Sequence, residues 1–172
     1  MRITLLSGTP AEIARVDDAA MGLVICPDIG GLRPLFDDHV ARLSAETRAG
    51  RVGVIGFCMG GMYALKAAGT GRFDRAVAFY GMIRVPAQFR GPGHAEPLDA
   101  VARSEACPVL AIIGGQDPWT PADDVDALRA AGAEIALFPD ADHGFVHDPD
   151  RPAHRADDAA DAWRRAITFL SS

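Results

Sequence analysis

Apolar residues along this chain fall into short runs separated by amphipathic stretches. Gly22–Cys26, Arg51–Phe57, Arg75–Tyr80, Pro108–Ile113 and Glu134–Phe138 each read as a strand. The uninterrupted apolar run of Gly22–Cys26 predicts a strand covered on both faces. Two further strands, Arg2–Leu6 and Glu12–Val16, flank the turn-prone Ser7-Gly8-Thr9-Pro10 and suggest a β-hairpin. Between these runs the period lengthens. A helix is predicted over Pro34–Thr47, with Leu35, Phe36, Val40 and Leu43 on one face. Others are predicted over Met59–Ala68, over Pro121–Ala131 with Thr120 as N-cap, and over Arg155–Leu170. The last shows Ala156, Ala160, Trp163, Ile167 and Leu170 at helical spacing, a stripe suited to core packing.

Alternation of strands and helices implies a mostly parallel sheet flanked by helices, and an α/β fold class. No linker, repeat or low-complexity tract divides the chain, so residues 1–172 read as a single domain. Residues 82–107 interrupt the alternation with Pro86, Gly91, Pro92, Gly93 and Pro97, leaving room only for a short helix near Leu98–Ser104. This segment follows the carboxyl end of a strand, where ligands bind in open α/β sheets.

Composition narrows the function classes. A net charge of −6 gives no basic footprint for nucleic acid. No apolar run is long enough for a bilayer, and the N-terminus lacks the pattern of a secretory signal. Three cysteines without framework spacing suit free thiols in a reducing compartment, so a cytoplasmic location is expected. No His, Cys and Asp grouping has the spacing of a metal site.

Chemistry concentrates at Gly56-Phe57-Cys58-Met59-Gly60, which fits G-x-nucleophile-x-G between a predicted strand and a predicted helix. Small flanking residues allow the sharp turn, and the helix starting at Met59 aims free N–H groups at a reacting carbonyl. Taken alone, the motif fits a structural cysteine in a glycine-rich turn equally well. Asp117, after the strand Pro108–Ile113, and His143, after Glu134–Phe138, complete the chain order nucleophile, acid, histidine. That is the order of the α/β-hydrolase triad.

At this point the sequence resembles the dienelactone hydrolase family, the cysteine-nucleophile branch of the α/β-hydrolases. The resemblance rests on VICPDIGGLRPLFDDHVARL, RVGVIGFCMGGMYAL, VAFYG, CPVLAIIGGQDPWTP and DADHGFVHDPDRP, followed by the Trp163 helix. It implies Cys58 as nucleophile, His143 as general base and Asp117 as the residue orienting it. It also implies an oxyanion hole from the backbone N–H groups of Ile29 and Met59, and no cofactor. In the family an acidic residue on the first loop contacts the resting thiol; Asp28 occupies that position, one methylene shorter than the usual Glu. Arg33, Tyr80, Arg84 and His147 are candidate substrate contacts, with His147 standing where the family's type enzyme has an arginine. The implied substrate is a small ester or lactone, handled by a monomer or weak dimer without nucleic-acid or membrane partners.

Between the helix ending near Thr47 and the strand at Arg51 there is only Arg48-Ala49-Gly50, where family members carry a strand and a helix. The expected fold is therefore an α/β-hydrolase reduced by one strand and one helix. Its crossover helix is expected on the face that gives a right-handed connection, and the hairpin is left to cover the edge or pack loosely. A catalytically weak descendant acting as a small-molecule-binding or interaction module is the alternative. A glutamine-amidotransferase-like site would need an acid at the position of Phe145.

Overall fold

The computed structural model describes residues 1–5, 8, 10–12, 14, 22–31, 34–36, 38–39, 52–91 and 94–172. Five strands form one parallel sheet in the order β3-β4-β5-β6-β7: β3 (Gly22–Cys26), β4 (Val52–Phe57), β5 (Arg75–Phe79), β6 (Val109–Gly114) and β7 (Glu134–Phe138). Their registers, such as Val24 with Val54 and Gly56 with Ala78, bring the carboxyl ends of the strands to one rim. The hairpin is present as a separate two-stranded sheet, β1 (Arg2–Thr4) with β2 (Pro10–Glu12). Its second strand begins at Pro10, ahead of the expected Glu12, because the ladder pairs Thr4 with Pro10, and Ile13, Arg15 and Val16 lie outside the described residues.

Alternation along the buried strands divides the core in two. Ile55, Phe57, Val77, Phe79, Leu110, Ile112 and Phe138 face the long helix α4 (Ala156–Ser171) and its Trp163. The opposite face presents Val54, Ala76, Ala78, Ala111 and Ile113 to α1 (Met59–Ala68), α2 (Pro97–Val101) and α3 (Ala122–Ala130). Burying a Phe or Leu side chain stabilises by about 1.5–3 kcal/mol, so these two layers dominate the fold's stability.

Three local expectations are corrected. The buried stripe of α4 is Ala159, Ala162, Trp163, Ala166 and Leu170, whereas Ala156 and Ala160 are exposed. Alanines are poor markers of a face; Trp163, Ile167 and Leu170 marked the right one, with Ile167 partly buried against the core. Helix α3 is capped by Pro121 without a side-chain bond, and Thr120 is buried beside it. In β3, Val24 remains 44% exposed, so this strand is not covered on both faces.

The crossover corrects the fourth. The connections carrying α1, α2 and α3 each advance from β4 towards β7 over one face of the sheet. Residues 34–36 and 38–39 are helical but lie on the other face, with Phe36 5.8 Å from Phe57 and His39 5.3 Å from Trp163 between ring centroids. The step from β3 to β4 advances in the same direction, so the right-handed rule would put these residues on the face of α1, α2 and α3. They lie on the opposite face instead, against Phe57 and Trp163. The aromatic pocket beside Trp163 holds Phe36 and His39 there. The stretch Arg48-Ala49-Gly50 lies outside the described residues.

Candidate active site

The elbow is built by glycines that leave no room for side chains. A Cβ on Gly56 would lie 2.0 Å from the Gly60 carbonyl oxygen, and one on Gly60 would lie 2.1 Å from that of Cys26. Gly61 and Gly81 approach each other as closely: a Cβ on Gly81 would lie 2.4 Å from the Gly61 carbonyl carbon. Helix α1 therefore begins tight against the ends of β3, β4 and β5. Cys58 turns from strand to helix with φ 57° and ψ −117°, a conformation rare for a side-chain-bearing residue. Its N–H donates to the Phe79 carbonyl at 3.0 Å and its carbonyl accepts from Met62 at 3.1 Å, which hold the strained turn.

Two neighbouring loops bring the acid and the imidazole. His143 Nδ1 donates to Asp117 Oδ2 at 2.8 Å, and the Trp119 N–H donates to Asp117 Oδ1 at 2.8 Å. The Asp117 side chain is wholly buried. On its other side Cys58 is close enough to raise the imidazole. Burial opposes a charge on His143, but the hydrogen bonds and negative charges of Asp117 and Cys58 outweigh it and raise the imidazole to about 9. This arrangement can hold a proton against the sulfur and return it.

A second buried chain lies alongside. Asp28 accepts the Gly30 N–H on Oδ1 at 2.8 Å and His147 Nε2–H on Oδ2 at 2.9 Å. Because Nε2 carries the proton, His147 Nδ1 accepts the Tyr80 hydroxyl in a short hydrogen bond. Burial pushes the His147 imidazole below its ordinary value, against the pull of Asp28. Tyr80 and His147 are 0% and 1% exposed, so neither presents its side chain at the surface of the cleft as a substrate contact would.

Ile29 sits exposed on the turn after β3, and Met59 opens α1. Arg84 Nε bonds Asp124 Oδ1 of α3 at 2.7 Å. Arg33 lies outside the described residues. His39, an isolated histidine in the sequence, donates from Nε2 to the His147 carbonyl at 2.9 Å. Its spacing of three from Phe36 on one helical face was the available signal.

The chain is similar to known proteins in sequence and in fold. The profile of the Dienelactone hydrolase family matches residues 32–172. A Salmonella typhimurium protein named "Putative carboxymethylenebutenolidase" is 36% identical over 95% of this chain; the chain spans 62% of that relative's length. Among solved structures, the "Putative Dienelactone Hydrolase" of Klebsiella pneumoniae superposes with a TM-score of 0.79 at 20% identity, covering 92% of this chain and 89% of that one. The native esterase Est2 of Thermogutta terrifontis superposes with a TM-score of 0.67 at 15% identity, covering 89% of this chain and 81% of its own. The two superpositions are likenesses of fold.

Proposed function

The chain belongs to the dienelactone hydrolase family, and from that premise we propose that it hydrolyses a small carboxylic ester, lactone or thioester through a Cys58 acyl-enzyme. The observation that carries the reading is the imidazole of His143, bonded to Asp117 at 2.8 Å and raised by both Asp117 and Cys58 at the strained elbow. The sulfur of Cys58 attacks the carbonyl carbon, and the Ile29 and Met59 N–H groups receive the oxyanion. The C–O bond then breaks as His143 gives its proton to the leaving oxygen. The resulting thioester removes the negative charge that helped to hold a proton on His143. The imidazole therefore becomes a stronger acid when neutral base is needed, and it takes a proton from the water that cleaves the C–S bond. The substrate is a small molecule, and neither nucleic acid nor a membrane takes part.

Replacing Cys58 by Ala tests this reading: turnover of lactones and aryl esters is expected to vanish, and unchanged turnover would overturn it. One observation favours the alternative of a binding module. Phe36 and His39 lie on the face opposite to the one a right-handed connection would use, and Val24 of β3 is 44% exposed. Alkylation separates the two readings, because an activated Cys58 reacts faster with iodoacetamide than Cys26 or Cys107, both of whose thiols burial raises.

A further inference from the structure

We propose that Asp28, His147 and Tyr80 form a positioning unit that fixes the turn bearing the Ile29 N–H, and that Asp28 does not act on the thiol. The inference rests on the hydrolase reading and refines the roles of its neighbours.

Both carboxylate oxygens of Asp28 are engaged away from the sulfur. One oxygen accepts Gly30 N–H at 2.8 Å within the turn itself, and the other accepts His147 Nε2–H at 2.9 Å. Its backbone carbonyl also accepts the Gly31 N–H at 3.0 Å, closing the turn around Ile29. Three hydrogen bonds thus define the geometry of residues 28–31.

The anchor is rigid. His147 is packed between Phe36 and Phe57, at centroid distances of 5.8 and 5.1 Å, and its carbonyl is held by His39 at 2.9 Å. As the neutral Nε2–H form its ring donates to Asp28 and accepts from Tyr80. Burial and the nearby Arg151 and His39 favour that neutral form, and Asp28 opposes them. Tyr80 in turn is pinned at the end of β5: φ is +39° and its N–H donates to Ile112 at 2.7 Å. The Tyr80 ring also meets His143 edge-on at 5.2 Å. The chain of bonds therefore couples the oxyanion turn to the histidine loop and the end of β5, three segments distant in sequence.

Two reactions of one sulfur test the assignment. Alkylation of Cys58 by iodoacetamide needs a reactive thiolate but no oxyanion hole, whereas acylation by p-nitrophenyl acetate needs both. Loosening the turn should lower acylation roughly 10-fold in Tyr80→Phe and about 100-fold in Asp28→Asn. Alkylation, and its pH profile, should stay within about twofold of the unaltered chain on this account. If alkylation falls in parallel with acylation, Asp28 acts on the thiol and the assignment is overturned. It is equally overturned if neither rate moves. Absence of acylation in the unaltered chain would instead defeat the hydrolase reading and take this inference with it. Nitrogen-15 NMR of the unaltered protein covers a variant that fails to fold. A neutral Nε2–H ring at His147 is expected near neutral pH, and an Nδ1–H ring or an imidazolium overturns the anchor.

Discussion

His143 Nδ1 donates to Asp117 Oδ2 at 2.8 Å, while the other oxygen of Asp117 is already committed to the Trp119 N–H. The carboxylate is therefore fixed by backbone on one side and dictates the tautomer of the imidazole on the other. Only Nε2 is left to face the sulfur.

Substituting Asp117 by Asn keeps the shape and reverses the preference. The amide N–H₂ can face Nδ1 only if that nitrogen accepts, which moves the imidazole proton to the wrong side. Ester turnover should fall by about 10³–10⁴-fold, the scale of a misoriented triad histidine. Thermal unfolding of the variant should stay close to that of the unaltered chain. Loss of fold together with activity would show a structural role for Asp117 instead.

The two site histidines bind protons with opposite linkage. His143 is raised from 6.5 to about 9, so its contribution to stability is complete below 6.5 and is lost as pH rises through 9. His147 is lowered from 6.5, so its contribution is complete above 6.5 and is lost as pH falls towards its lower native value. Urea unfolding should therefore show stability declining from pH 6.5 to 9 by roughly 3 kcal/mol from His143. In Cys58→Ala this alkaline decline should shrink, because the sulfur helps to raise the imidazole. An equal decline in both proteins would contradict the pairing.

Gly60 reverses a general preference. In an open helix, glycine to alanine stabilises by about 1 kcal/mol. Here the added carbon would meet the carbonyl oxygens of Cys26 at 2.1 Å and Pro27 at 2.3 Å, with only backbone to yield. Gly60→Ala should lose roughly 3 kcal/mol or more in chemical denaturation. A neutral or stabilised variant would show that α1 does not start against β3 as described.

Thr120 carries a removable cost. It is 4% exposed and its buried Oγ1 has no hydrogen-bond partner among the described residues. Thr120→Val keeps the shape and removes the unmet polar group, so a gain of about 1 kcal/mol in unfolding free energy is expected. A loss of that size would indicate that the hydroxyl is bonded in solution.

The sequence made the sheet legible because each buried strand is an apolar run with a turn at its end. Cys58, Asp117 and His143 were legible for the same reason, since each follows a strand and the parallel sheet brings such loops to one rim. The second chain of hydrogen bonds was not. Asp28 and His147 are 119 positions apart, and only packing around Phe57 shows that they meet. The side taken by Phe36 and His39 was missed because the handedness rule counts the direction of advance, while their position is set by the aromatic pocket at Trp163. A right-handed exit from β3 over that face would lead outward, away from β4.

The central claim is that Cys58 becomes acylated, and peptide mass spectrometry of an acid-quenched reaction reads it directly. After brief exposure to p-nitrophenyl acetate, the account predicts a single acetyl group on the peptide carrying Cys58, absent in His143→Gln and cleared with time in the unaltered protein. An unmodified Cys58, or acetyl groups spread equally over Cys26, Cys58 and Cys107, would contradict it.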